Sequence, residues 1–284
     1  MPPGPPTAAS WQELGPLHIP DGQTYGSARV DVIGRVSAIA VDPADPKHLL
    51  CGSASGGIWE STDTGATWIP TTDQMPTLAI GAITFDPHDS TRVYAGTGEG
   101  NFYANLGVGV YRSNDGGTTW TLMAGTSFVG IGFYDLVVDP VDPKTLYAAT
   151  TNGFYVSSNS GLSWSRKRPT KCWDITVHPS GGTTEILASF ADGLYASANG
   201  GNSFTPVTLP SPPAGAWVRL AVDRVTASPD VAYAFGASGN TPYLWRRAGT
   251  TWTKITSLPT MNVSQAWYDW YVAASPAEDR KSVV

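Results

Sequence analysis

One eight-residue pattern recurs through the chain and constrains the fold more than any other feature. It reads Ser61-Thr62-Asp63-Thr64-Gly65-Ala66-Thr67-Trp68, then Ser113-Asn114-Asp115-Gly116-Gly117-Thr118-Thr119-Trp120. It returns as Ser157-Ser158-Asn159-Ser160-Gly161-Leu162-Ser163-Trp164 and Ser197-Ala198-Asn199-Gly200-Gly201-Asn202-Ser203-Phe204. A worn fifth copy, Ala248-Gly249-Thr250-Thr251-Trp252, lacks the Ser and the Asp. The pattern predicts a tight turn between antiparallel strands. The Asp or Asn oxygen accepts backbone N–H groups two residues on, and the Gly supplies a positive φ. The aromatic residue leads the next strand and points into the core. Asn159 and Asn199 keep the acceptor that Asp63 and Asp115 have, so the role is structural rather than ionic.

Spacing between the aromatic positions is 52, 44, 40 and 48 residues, the period of a four-stranded propeller blade. Each unit opens with a strand ending in an Asp-Pro or equivalent turn: Val36–Pro43, Ala79–Pro87, Tyr134–Pro140, Trp173–Pro179 and Val218–Arg224. Four places before the Pro stand Ile39, Ile83, Leu136, Ile175 and Leu220; two places before stand Val41, Phe85, Val138, Val177 and Val222. A period of two with large residues at these columns is what a strand between packed sheets requires. Second and third strands follow, and no helical periodicity is sustained. A sixth unit opens at Trp267 and runs to Pro276. The expected architecture is an all-β propeller of five four-stranded blades plus the start of a sixth. Residues 1–32 form a lead-in, 33–276 the propeller and 277–284 a tail outside the repeats. The ring is expected to be incomplete.

The repeated turns resemble the Asp-box, or BNR, repeat of sialidases, xyloglucanase-type glycosidases, sortilin-like receptors and photosystem assembly factors. The resemblance rests on Ser61, Asp63, Gly65 and Trp68; Ser113, Asp115, Gly117 and Trp120; Ser157, Asn159, Gly161 and Trp164; and Ser197, Asn199, Gly201 and Phe204. It implies a propeller in which the box joins the two outer strands of a blade and takes no part in catalysis. A sialidase would also need an arginine triad and a Phe/Tyr-Arg-Ile-Pro start. The nearest stretch, Gly34-Arg35-Val36, lacks the Ile-Pro, which sets sialidase activity aside.

A net charge of −6 and a pI near 5.1 argue against nucleic-acid or anionic-membrane partners. No apolar run is long enough to span a bilayer. Low Lys content and abundant Ser, Thr and aromatics suit an extracellular or periplasmic protein, although residues 1–10 carry no leader pattern. Cys51 and Cys172 read as free thiols, and His18, His48, His88 and His178 are dispersed. No metal site, cofactor motif or phosphate loop is expected.

The loop between the second and third strands of the second unit holds the one long insertion, Gly98 to Gly107. It carries Glu99, Asn101 and Tyr103. The entrances to the first strands add Arg35, Tyr134, Asp135, Trp173, Asp174, Trp217, Arg219, Trp267, Tyr268 and Asp269. Asp174 and Arg219 are expected to pair. Two carboxylates flanking a sugar define a glycosidase, and Glu99, Asp135 and Asp269 are the catalytic candidates. Arg35, Asn101, Tyr103 and Trp217 are the ligand-binding ones. Three readings remain open: a propeller binding glycan or protein, a glycoside hydrolase closer to xyloglucanases than to sialidases, and an assembly scaffold.

Overall fold

The computed structural model describes residues 19–23, 29–32, 34–101, 106–123, 127–275 and 281–283. The chain forms two compact units, Met1–Arg35 and Val36–Val284. The first contains a hairpin of Ile19–Gln23 with Arg29–Val32.

The second unit is all-β. Its five four-stranded antiparallel sheets follow one another along the chain. The first comprises Val36–Val41, Leu49–Ser53, Ile58–Ser61 and Ile69–Pro70. The second comprises Ile80–Asp86, Asp89–Thr97, Val110–Ser113 and Thr121–Leu122. The third is Phe133–Val138, Leu146–Thr150, Gly153–Ser157 and Ser165–Arg168. The fourth is Cys172–Ser180, Thr183–Phe190, Gly193–Ser197 and Thr205–Pro206. The fifth is Arg219–Arg224, Ala232–Ser238, Thr241–Ala248 and Thr251–Ile255. First strands of successive sheets pack on one another, so each sheet is a blade whose first strand is innermost.

Alternation along the strands explains the packing. From the second sheet on, one face of each sheet meets the sheet before it, and the other faces of the first four meet the sheet after. Ala40, Leu50 and Ile58 of the first sheet pack with Ile83, Phe85 and Val93 of the second. Ala82, Tyr94 and Val110 on the second sheet's far face meet Leu136, Val138 and Ala148. The rule continues through Tyr147 and Phe154 against Ile175 and Ala188, and Leu187 and Leu194 against Val222 and Trp245.

The recurring turns have one hydrogen-bond plan. The buried Ser61 hydroxyl donates to Asp63 Oδ1 (2.8 Å) and accepts the Gly65 N–H (2.9 Å). Asp63 Oδ1 accepts the Thr67 N–H (2.8 Å) and Oδ2 accepts the Thr67 hydroxyl (2.7 Å). Ser113, Asp115, Gly117 and Thr119 repeat this set. Asn159 accepts the Ser163 N–H and donates Nδ2–H to the Ser163 hydroxyl, both at 2.9 Å, and Asn199 treats Ser203 alike. The acid or amide thus reaches four residues ahead rather than two. Because the seventh-place hydroxyl can donate or accept, Asp and Asn are interchangeable there. The glycine is required: φ is +84° at Gly65, and a Cβ on Gly117 (φ +105°) would fall 2.7 Å from Leu50.

Two expectations need correction. The aromatics stand before the fourth strands rather than leading them in the first four sheets, and their burial is uneven. Trp120 is buried, whereas Trp68 is 37% exposed and folds back, its indole N–H donating to Gly65 O. The worn fifth copy is a different turn. Ala248 pairs with Thr251 across Gly249-Thr250, a two-residue hairpin with no place for the Ser and Asp.

Beyond the fifth sheet, Trp267 does not open a strand. Tyr268 and Asp269 donate N–H groups to Gln265 O in a turn, and the strand is Val272–Ala274. Lys281–Val283, in the stretch read as a tail, pairs antiparallel with it.

Candidate functional site

In an antiparallel blade, the loop from second to third strand lies at the end opposite the turn from third to fourth. The insertion of the second sheet therefore emerges at the end away from the recurring turns. It is built into the third sheet. Gly98 N–H donates to Ala79 O (2.8 Å), Phe133 N–H to Gly98 O (2.8 Å) and Gly100 N–H to Phe133 O (3.2 Å). Glu99 is bridged in parallel to Phe133. Glycine is needed at position 100, where a Cβ would sit 2.5 Å from the Tyr134 ring. That ring's hydroxyl donates to Gly100 O (2.7 Å).

A second device aims side chains at this end. In each of the first four sheets the first strand carries one extra residue relative to its partner near its start. Such bulges re-aim a side chain. The extra residues are Ser37, Gly81, Tyr134 and Trp173. Tyr134 and Trp173 line a cavity of about 420 Å³ together with Glu99, Asn101, Lys171 and Trp267. Glu99 is 3% exposed and accepts the Asn101 N–H through Oε1 (3.0 Å).

Arg219 organises the cavity wall. Its guanidinium lies 4.5 Å above the Tyr134 ring and 6.0 Å from the Trp173 ring. Nη1 donates to Asn101 Oδ1 (3.0 Å), and Asn101 Nδ2 in turn donates to Tyr268 O (3.4 Å). The insertion of the second sheet is thereby tied to the fifth sheet and to the turn beyond it. Burial lowers the Arg219 pKa, opposed by Tyr134, Asp174 and Glu99. Burial also lowers that of Lys171, helped by the nearby Arg219 charge.

Behind Tyr134 and Trp173 stand two coupled acids. Asp135 Oδ2 (3.1 Å) and Asp174 Oδ1 (3.0 Å) both accept the N–H of Ile175. Asp174 Oδ2 reaches Val222 N–H (2.9 Å), and Asp223 Oδ2 likewise reaches Ala274 N–H (2.7 Å). Each acid staples its first strand to the next. Desolvation raises Asp135 to about 6. Desolvation, then the Asp135 charge, raises Asp174 to about 8. The two titrate as a pair that retains a proton near neutral pH.

The sequence-derived candidates separate on this geometry. Glu99 and Asn101 line the cavity. Asp135 lies behind it and is not in its lining. Asp269 is exposed, on the turn that carries Trp267, with its pKa raised by desolvation. Trp217 is half-buried, packs edge-on to Trp245 (5.8 Å) and covers Gly236, and is not in the lining of this cavity. Arg35 belongs to the first unit and Tyr103 lies outside the described residues. The expected direct Asp174–Arg219 ion pair does not form: Asp174 accepts the Ile175 and Val222 N–H groups and Arg219 donates to Asn101, while the two charges still attract at longer range. Lys171 was not singled out in the sequence. It precedes the fourth sheet's first strand, and only the bulge at Trp173 reveals that this approach faces the cavity.

No protein-family profile matches the chain. Sequence relatives are xyloglucanases. The chain is 30% identical to one from Paenibacillus sp over 253 residues, 79% of this chain and 21% of the relative. It is 29% identical to one from Hypocrea jecorina over 250 residues, 78% of this chain and 26% of the relative. The fold resembles a GH74 xyloglucanase from Xanthomonas campestris (TM-score 0.67, 20% identity, 88% of this chain and 43% of that one). It also resembles an ancestral GH74 enzyme (TM-score 0.71, 18% identity, 98% and 36%). The Swd1 β-propeller domain of Myceliophteria thermophila overlays at a TM-score of 0.56 with 8% identity, over 92% and 82%. The molecule is therefore a β-propeller with xyloglucanase homologues. It spans about a fifth to a quarter of the length of the two sequence relatives named above.

Proposed function

We propose that the chain is a glycoside hydrolase of the xyloglucanase type, with a glucan backbone seated in the cavity around Glu99. One observation carries the reading: a nearly buried carboxylate stands in a cavity among the aromatic rings of Tyr134, Trp173 and Trp267. Rings of this kind cover the apolar faces of sugars, while Glu99, Asn101 and Lys171 address hydroxyls. The xyloglucanase relatives supply the substrate class, and an extracellular site of action fits it. Glu99 is assigned as acid or base. Asp269, on the exposed turn that carries Trp267, is assigned as the second carboxyl, because Asp135 and Asp174 stand behind the cavity with their oxygens on backbone N–H groups. The repeated turns, read as Asp boxes, stay outside the chemistry.

The test is hydrolysis of xyloglucan against unsubstituted β-glucan and xylan, with Glu99→Gln as control. The variant loses turnover and retains binding if the assignment holds. A second reading has its own support: Asp135, Asp174 and Asp223 each use both oxygens on backbone N–H groups. That leaves Glu99 as the one carboxylate in the cavity lining among the described residues. In that case the propeller binds the glycan without cleaving it, wild type shows no turnover, and Glu99→Gln weakens affinity only modestly.

A further inference from the structure

One cation on the cavity wall has no counter-charge. Lys171 is half-buried and lines the cavity with Thr151, Tyr134 and Trp173. Among the described residues its ammonium makes no hydrogen bond or ion pair. Cations elsewhere in the fold are matched: Arg92 meets Asp86 (2.8 Å) and Arg168 meets Asp192 (2.7 Å). Glu99, the carboxylate in the lining, takes the Asn101 N–H and acts on Arg219 rather than on Lys171. The charge that does act on Lys171 is that of Arg219, which has the same sign.

Its place in the repeat sets Lys171 apart. The residue before the first strand is Ala79 in the second sheet and Gly132 in the third, but Lys171 in the fourth. Gly132 lines the cavity too, so this position faces it from two consecutive sheets. The Lys171 carbonyl accepts the Ala191 N–H (3.0 Å), which fixes the backbone from which the side chain leaves. A half-buried ammonium beside a like charge costs stability until an anion reaches it.

We propose that Lys171 receives the carboxylate of an acidic sugar, so that the cavity takes a glucan carrying a uronosyl unit in preference to a neutral one. The proposal rests on the glycan reading of the cavity and sharpens its substrate class. A hydroxyl accepts one N–H of the ammonium, but only an anion also offsets the repulsion from Arg219. One compact ammonium suits a monoanion, and the rings of Tyr134 and Trp173 in the same lining suit a sugar rather than a bare inorganic ion.

Titration calorimetry of the whole chain compares cellotetraose with the same tetrasaccharide oxidised at one C6 to a glucuronosyl unit, at about 20 and about 200 mM salt. At low salt the acidic sugar binds roughly tenfold more tightly, even though the chain carries −6. The preference shrinks at high salt. Lys171→Met abolishes it and Lys171→Arg keeps it, with melting temperatures verifying that both variants are folded. Equal affinities of the wild type for the two sugars overturn the proposal and leave the glycan reading intact. A preference that persists in folded Lys171→Met places the carboxylate elsewhere and overturns it as well. Displacement of the acidic sugar by an equal concentration of inorganic phosphate means a bare-anion site and contradicts it. Binding of neither sugar removes the glycan reading and the proposal together.

Discussion

The two ends of the blades use polar side chains in opposite ways. At the turn end, Ser61, Asp63 and their counterparts satisfy the N–H groups of their own turn, and the plan repeats four times with Asp and Asn exchanged. At the cavity end the bulges and the Asp staples recur, but the contacts that line the cavity do not. Arg219 holds Asn101 across the molecule, Glu99 is anchored to a neighbouring strand, and Tyr134 and Trp173 are turned by bulges. Repetition with tolerance marks scaffold, and singular long-range contacts mark a site. That difference, more than any motif, separates the turn end from the candidate site.

Removing a buried hydroxyl at the turn end has the largest expected effect. Ser113 is 1% exposed, and Ser113→Ala strands the Gly117 N–H, so it costs about 1–3 kcal/mol in urea unfolding. Asp63→Asn leaves stability at neutral pH unchanged, because Asn159 and Asn199 fill the same role. A substantial loss in Asp63→Asn would show that charge matters at this end after all.

The two ends also respond oppositely to pH. The Thr67 hydroxyl, with the Thr67 N–H and Ser61, holds Asp63 down at about 2. Its contribution is present above the ordinary Asp value of 3.8 and is lost as pH falls from there through about 2. Asp135 and Asp174 are raised to about 6 and about 8. Their ionisation is disfavoured in the fold, so they lower stability as pH climbs from about 4 to 8. Melting temperature should peak in mildly acidic buffer and decline toward pH 8. Asp174→Asn should flatten the decline while lowering the peak, since an amide oxygen cannot serve both Ile175 and Val222. A melting temperature that rises between pH 5 and 8 would contradict the coupled pair.

Smaller effects belong to the cavity wall. Trp267→Ala, at a 38% exposed ring, should weaken oligosaccharide affinity about three- to tenfold in titration calorimetry without lowering the melting temperature. Arg219→Lys keeps the charge but loses the planar guanidinium that lies over Tyr134. It should speed hydrogen exchange in residues 98–101 and leave exchange in the recurring turns unchanged.

The sequence revealed what repeats and concealed what does not. The column at Ile39, Ile83, Leu136, Ile175 and Leu220 located five first strands, and the Ser-x-Asp/Asn pattern located four turns. Glu99 and Asn101 were legible because the insertion holding them has no counterpart in the other units. The bulges were not legible, since one extra residue in a strand leaves no compositional trace. Tyr134 and Trp173 therefore looked like ordinary entrance aromatics. Arg219 stood out as an off-pattern charge, but its partner, Asn101, is 118 positions away. Nor did the sequence show that the fifth sheet pairs without such a bulge. The packing of Trp217 was hidden for a different reason: its ring lies over Gly236, whose missing side chain makes room for it.

Hydrogen exchange of the whole chain with and without xyloglucan oligosaccharides tests the central claim most directly. The account predicts slowed exchange in residues 98–101 and 171–174, with none in 61–68, 113–120, 157–164 or 197–204. Protection confined to those turns, with the insertion untouched, would contradict it.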